Sequence, residues 1–420
     1  LTAHPHEKHK LSLKHTAYFV MKRLAVFAAV LSLLSLQTTA QKQANIWYFG
    51  NRMGFDFNAG HPQVLDDGAM FAAEGTAVVA DSQTGRLLFY TNGLNVWNRQ
   101  HRIMKGLEKA YPDYCSTRDY QSALIVPMPG SPLRYYLFAI PTIDGVANEC
   151  KPPTVWQASL FCSVIDMDAD NGDGAVVEPA TQLQENVTYK MAAVPHANGR
   201  DYWLVAHAYN SNAFLVYPVT ASGIGEARQH FVGARHEPAV INGDFVSDWD
   251  RRGVIKASPN GKKLAVTIQQ PFNQITRPLE LFDFDPSTGT VSNPVVLSEL
   301  SWQAGVSFST DNTKLYVQAD KLNSGENRNQ QHSTVFQYDL TASSAEAVSA
   351  SAVSIIVENP RLNDSPNTFA SNFMLQLAPD GKIYAPFPTN PPPSDPRFAR
   401  FIVINQPNRK GIDCNAQAVN

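Results

Sequence analysis

The chain has 420 residues with 34 basic and 37 acidic side chains, a formal charge of −3, and is 44% hydrophobic with 28 prolines and 24 glycines. This is a globular, turn-rich composition that excludes a disordered or collagen-like chain, and its acidic balance argues against nucleic acid or an anionic membrane as partner. Its four cysteines, Cys115, Cys150, Cys162 and Cys414, lack the paired close spacing of a zinc site.

At the N-terminal end, residues 1–20 contain no methionine and carry four of the eleven histidines, which reads as an overcalled extension without function. Met21-Lys-Arg, the apolar run 24–36 and Gln37-Thr-Thr-Ala40 supply the charged, apolar and small-residue regions of a secretory signal peptide. The run is too short to span a bilayer, so cleavage after Ala40 is expected, leaving no transmembrane anchor. Loss of residues 1–40 removes five basic and one acidic side chain and takes the formal charge from −3 to −7.

Residues 41–420 are expected to form one domain built from a repeated strand-turn-strand unit. Its clearest copy is Lys256-Ala-Ser-Pro-Asn-Gly-Lys-Lys-Leu-Ala-Val-Thr, repeated as Ser309-Thr-Asp-Asn-Thr-Lys-Leu-Tyr-Val and Ala378-Pro-Asp-Gly-Lys-Ile-Tyr-Ala. Looser copies begin at Ala80, Pro127 and Pro195. A two-strand unit cannot bury its apolar face alone, so repetition at this scale predicts a β-propeller.

In chain order, Asn45-Ile-Trp-Tyr-Phe-Gly, Phe55-Asp-Phe-Asn-Ala-Gly and Gln63-Val-Leu resemble the third and fourth strands of a later unit at 279–297, so the ring is predicted to start half-way through a blade. The first unit has strands at 76–81, 86–91 and 95–98 with a weak fourth near Ile103. Further units run over 122–177, 190–231, 253–297, 304–357 and from 373 towards the C-terminus, and no stretch shows sustained helical periodicity. Six units plus a leading half-unit predict an all-β propeller of seven blades closed by strands from both ends, with an incomplete closing blade; six blades is the alternative.

The phrases Asn45-Ile-Trp-Tyr-Phe-Gly-Asn, Gly85-Arg-Leu-Leu-Phe-Tyr-Thr-Asn-Gly-Leu-Asn-Val-Trp-Asn, Gln121-Ser-Ala-Leu-Ile-Val-Pro-Met-Pro-Gly, His196-Ala-Asn-Gly-Arg-Asp-Tyr-Trp-Leu-Val and Leu375-Gln-Leu-Ala-Pro-Asp-Gly-Lys-Ile-Tyr resemble the N-terminal WD-repeat-like propeller of large secreted Bacteroidota proteins. The resemblance implies a seven-bladed ring exported to the cell surface or medium, and it implies little chemistry; a signal peptide alone would deliver the chain to the periplasm. Those proteins commonly continue into PKD-type and type IX secretion sorting domains.

In a propeller, the turn between first and second strands lies on one side of the ring, and the second-to-third loops and blade junctions lie on the other. The long loops 141–153, 269–277, 318–332 and 386–396 and the junctions 105–121 and 242–252 would all emerge on that second face. Variable loops on a rigid scaffold are where recognition concentrates. Asp244, Asp248, Trp249, Asp250, Arg251 and Arg252 are its densest mix of charge and aromatic surface, with Trp302, Tyr209 and Asn210 expected to join near the axis. A tryptophan beside carboxylates and amides suits stacking on a sugar or anchoring a peptide; packing between blades is the plainer alternative.

Asp166, Asp168, Asp170 and Asp173 alternate as in a calcium loop, but position six is Asn171 instead of glycine and the closing acid, Glu178, falls one place late, so an Asp/Asn/Gly hairpin turn suffices. No cofactor is expected, with calcium the alternative. Cys115 and Cys150 lie in long loops of one blade and could pair; Cys150 with Cys162 is the alternative, and a buried thiol is the plain reading of Cys162. His196 and His207 are placed at opposite ends of one blade, with Asp201 a partner for the Asn198-Gly199 turn.

The expectation is an exported, monomeric, non-catalytic propeller that binds a glycan, peptide or protein on its long-loop face. The alternative is a lactonase-like or hydrolytic enzyme with its site in the central funnel. An enzyme should put titratable groups at the blade starts, but these read Thr76, Ser122, Met191, Val254, Val306 and Leu375, with Glu74 and Asp250 the nearest acids.

Overall fold

The computed structural model describes residues 42–419 apart from 73–74, 107–120, 122, 142–157, 242–243, 248, 270–275, 301, 322–331, 359–373 and 388–399. Apolar and aromatic strands alternate with turns closed by asparagine, aspartate and glycine, and they assemble into seven antiparallel sheets in a ring: a seven-bladed β-propeller. Blade one is β1 (Ile46–Phe49), β2 (Met53–Asp56) and β3 (Gln63–Leu65); blade two is β4 (Ala77–Ala80), β5 (Leu87–Thr91) and β6 (Val96–Asn98). Blade three is β7 (Ala123–Pro127), β8 (Arg134–Ala139), β9 (Leu160–Asp166) and β10 (Ala175–Gln184). Blade four is β11 (Val187–Pro195), β12 (Tyr202–Ala208) and β13 (Ser211–Thr220), with the short β14 (Gly223–Ile224) and β15 (Arg228–His236) both paired to β13.

The hairpin β16 (Ala239–Ile241) and β17 (Asp244–Ser247) leads into blade five, which is β18 (Ile255–Ala257), β19 (Lys263–Val266), β20 (Arg277–Asp285) and β21 (Thr290–Leu300). Blade six is β22 (Val306–Phe308), β23 (Lys314–Lys321), β24 (His332–Asp339) and β25 (Val353–Glu358). Blade seven is β26 (Gln376–Leu377), β27 (Ile383–Phe387), β28 (Arg400–Ile404) and β29 (Ala416–Val419). One helical turn, α1 (Ala345–Ala350), sits between β24 and β25 and is capped by Ser344, whose hydroxyl accepts from Ala347 N.

The core is divided among the seven blade junctions, each with its own apolar cluster. Phe214 and Phe282 meet at the junction of blades four and five, for example, and Tyr48 stacks on Tyr90 between blades one and two. Sheets that bury both faces against neighbours need no second layer.

The repeated turn works through its side chains. Ser258 Oγ donates to Asn260 Oδ1 and accepts from Lys263 N, and Gly261 takes a φ of +68°. Ser309 Oγ and Asp311 repeat the arrangement, with Asn312 in the left-handed conformation where the other copies have glycine. Asn312 Oδ1 also accepts from Asn260 N, so successive turns are stitched together along this short-turn side.

Three expectations about the ring need correction. The leading unit has three strands, not two, and the hairpin β16–β17 occupies part of what read as a loop. β1 runs antiparallel to β4: Lys42 N donates to Ser82 O at one end of the pair, and the Thr76 hydroxyl donates to Tyr48 O at the other. Among the described residues, closure does not use strands from both ends in one sheet, because β26–β29 pair with one another. Blade seven is a complete four-stranded sheet that meets blade one through Trp47, Phe49, Phe55, Phe57, Tyr384 and Phe401. As expected of an incomplete closing blade, no C-terminal strand joins the leading blade, which has three strands among the described residues; the turn Gly411–Cys414 and β29 instead finish blade seven with main-chain bonds.

Candidate functional site

The described residues of the candidate cluster gather at the junction of blades four and five. Gly253 has φ +121°, and a Cβ there would meet Thr267 O at 2.2 Å and Lys190 Cε at 2.8 Å, so only glycine lets the chain turn into β18 this closely. Ahead of it the single turn Trp249–Arg251 presses its backbone onto β11. Lys190, fully buried on β11, donates from Nζ to Asp250 O at 2.6 Å, Arg251 O at 3.2 Å and His236 Nδ1 at 3.3 Å.

The side chains of that turn are equally engaged. Arg251 is buried, donates to Val187 O and Asn186 Oδ1, and lays its guanidinium 3.4 Å from the Tyr209 ring centroid. Asp250 is buried against Arg277, whose Nε donates to its carboxylate at 2.7 Å. Asn186 thus carries Arg251 and also donates to Tyr209 O.

These contacts change how the expected ligand-binding residues are read. Asp250, Arg251, Tyr209 and Trp302 come together as foreseen but are buried, so their chemistry builds the junction rather than a contact surface. Asn210 is an exposed left-handed corner whose N–H donates to His236 O, and Asp244 begins β17. Asp248 lies outside the described residues. What remains partly exposed is Trp249, with Arg252 over its ring at 4.3 Å and Trp302 edge-on at 6.1 Å. Trp302 holds a φ of +49°, a strained conformation for an aromatic residue, and its indole N–H has no partner among the described residues.

Sequence reasoning missed Lys190, His236 and Glu280. The signal was available: a lysine amid Val-Thr-Tyr-Lys-Met-Ala-Ala-Val is a charge inside a strand buried on both faces, which must find partners. His207 lies near the end of β12, and its ring stacks on His236 at 3.8 Å. Burial, with Lys190 alongside, pushes His207 down to about 3 and His236 well below the usual range; His236 is also lowered by His207 itself and by Arg277. His196, at the other end of the blade, stacks on Trp203, and Asn198 Nδ2 donates to Asp201 in the turn as expected.

Glu280 on β20 is buried beside the sharp turn at Gly233, and both its oxygens accept from Ala234 N. Desolvation pushes it up to about 7, partly opposed by that hydrogen bond. A carboxyl whose folded pKa lies above its unfolded value favours folding below that value and loses the contribution as pH rises through 7. Glu280→Gln, which keeps an acceptor for Ala234, should therefore match the wild type near pH 5 and exceed it by ~2 kcal/mol at pH 8 in urea titrations. Equal stability at pH 8 would show that the buried carboxylate carries no such cost.

The candidate calcium loop is engaged otherwise. Asp166 pairs with Arg134, Asp170 with Lys105, and Asp173 with Arg102 and more distantly Arg99, so acids of blade three hold basic side chains of the blade-two segment and of β8. Asp168 donates its N–H to Asp166 within the turn. Among the described residues no group of three or more histidine, cysteine, aspartate or glutamate side chains is placed to hold a metal. Cys162 and Cys414 are buried free thiols, while Cys115 and Cys150 fall outside the described residues, as do most of the long loops. No helix among the described residues is long and apolar enough to cross a membrane.

Fold and site together define a seven-bladed propeller with a polar clamp at one blade junction. No protein-family model and no curated protein matches the chain. Among solved structures it is similar to hydrazine synthase of Kuenenia stuttgartiensis, at 12% identity and TM-score 0.41 over 90% of this chain and 82% of that one. It is also similar to a putative 6-phosphogluconolactonase from Bacteroides fragilis, at 13% identity and TM-score 0.36 over 74% and 78% of the two chains. The periplasmic gluconolactonase of Pseudomonas aeruginosa follows at 12% identity and TM-score 0.35 over 74% and 85%. Likenesses this distant leave function to the residues themselves.

Proposed function

We propose that this chain is an exported, non-catalytic propeller that binds a glycan or peptide partner through its long-loop face, with Trp249 as anchor. The observation that supports this is the contrast within one turn. Asp250 and Arg251 are locked into the junction, while Trp249 between them and β17 stays partly open, sandwiched by Arg252 and edge-on to Trp302. A rigidly seated, half-open indole offers a large apolar face at little entropic cost on binding, which is how aromatic anchors act. The secretory leader, the WD-repeat-like resemblance and the acidic surface are consistent with a role at the cell surface or in the periplasm.

Trp249→Ala is the test, because the anchor is a binding residue and not part of the clamp. It should weaken retention on immobilised cell-surface glycan or peptidoglycan fragments by ~10-fold or more while shifting the melting temperature by less than ~2 °C. Unchanged retention, or a large stability loss, would make Trp249 a packing residue and end this reading.

A further inference from the structure

Two side-chain contacts in this ring skip a blade. Lys256 on β18 of blade five donates from Nζ to Gln376 Oε1 on β26 of blade seven at 2.6 Å, passing the inner strand of blade six. Gln121, just ahead of β7 in blade three, accepts through Oε1 from Met191 N of blade four and Ile255 N of blade five, at 3.1 and 2.8 Å. Its Nε2 donates to Ile255 O at 2.8 Å. In a ring, blades that are not neighbours touch only across the central opening, so these contacts place Lys256, Gln376 and Gln121 there.

Lys256 is chemically out of step with its surroundings. At the same position of the repeated motif stand Val126, Val194, Ser307 and Gln376, all uncharged. Among the described residues, Lys256 forms no ion pair; the Gln376 amide is its side-chain partner. Lys256 is half-buried, and desolvation pushes its ammonium down to about 8. Gln376 Nε2 spends one N–H on Leu377 O, and an amide nitrogen has two.

We propose that the central opening is an oxyanion site in which Lys256 supplies the charge and Gln376 a second donor to a carboxylate or phosphate group of a small solute. A partly desolvated ammonium gains from an opposite charge brought to it, and an oxyanion accepts from both groups without displacing a protein acid. The site is separate from the Trp249 anchor and stands or falls independently of it.

The experiment compares the wild type with Lys256→Met in sodium phosphate, sodium acetate and sodium chloride at matched ionic strength, at pH 7 and pH 9.5. Phosphate or acetate should raise the wild-type melting temperature saturably above chloride, by about 2 °C at tenfold over Kd, and leave Lys256→Met unmoved. The gain should fade at pH 9.5, where the amine is neutral. A response to acetate alone assigns a carboxylate, and to phosphate alone a phosphate. Equal responses in both proteins, or none in the wild type, overturn the proposal. Should Lys256→Met not fold, reductive 13C-methylation of the wild type keeps the question open to measurement. The Lys256 dimethylamine signal, recognisable by its low pKa, should move with added phosphate or acetate and not with chloride; an unmoved signal overturns the site.

Discussion

Asp250→Ala is expected to lower stability by ~3 kcal/mol, or about 4 °C in melting temperature for a chain of this size. The side chain is fully buried, and its carboxylate holds Arg277 at 2.7 Å, so removing it leaves a guanidinium at the junction of blades four and five without that acid. Removing one partner of a buried pair costs more than the pair contributes, because the remaining charge keeps its desolvation penalty. Arg277 is 22% exposed in its side chain and can turn partly to solvent, which places the loss at the lower end of the range for buried pairs. The backbone of residue 250 also accepts from Lys190, so loosening the turn reaches the clamp itself. Urea titrations of Asp250→Ala beside Trp249→Ala separate the roles: a cost under ~1 kcal/mol for Asp250→Ala would return it to the contact surface.

Mild acid is the second large effect. His207 and His236 are buried as neutral rings: His207 Nδ1 donates to Ala208 O, and His236 Nδ1 accepts from Lys190. Lys190 and Arg277 lie beside the pair, Asp250 holds Arg277, and Glu280 lies across the same junction against Ala234 N. A base whose folded pKa is depressed binds protons in the unfolded chain first. Its neutral form therefore supports folding fully above the unfolded value near 6.5, and the support falls away as pH drops towards the folded value, about 3 for His207.

The slope is ~1.4 kcal/mol per pH unit for one such group, so ~2 kcal/mol is lost between pH 7 and pH 5. The second ring adds less, since two protons cannot sit 3.8 Å apart beside a lysine without strong repulsion. Glu280 works in the opposite direction over the same window, which is why the measurement is a comparison. His207→Phe, which keeps a stacked ring, should hold ~2 kcal/mol more of its pH 7 stability at pH 5 than the wild type does. Parallel pH profiles for the two proteins would mean that the buried rings are not what acid attacks.

Much of this protein was legible residue by residue. Asn260, Gly261, Asp311 and Gly381 announce their turns because the side chain or the left-handed backbone does the work locally. Counting those turns counted the blades, and six of the seven unit boundaries followed from them. The leading blade was read one strand short because β1 could be matched only to a distant sequence, while its pairing with β2 is set by register. The candidate site was legible as a place but not as a surface: Asp250 and Arg251 look like solvent-facing charges until β11 brings Lys190 beneath them.

By itself, then, the sequence determined the repeat and the side on which its short turns lie. Local hydrogen-bond chemistry and strand periodicity act over a few residues, and a single chain displays them. Tertiary structure decided the rest: that blade seven closes on blade one through aromatic faces instead of a shared sheet, that four charged or aromatic candidates are buried, and that Lys256 crosses to Gln376. Each depends on groups 46 to 120 residues apart or more meeting in the ring, as Lys190 meets His236 and Lys256 meets Gln376. Desolvation and pairing are properties of that meeting, and no stretch of sequence carries them alone.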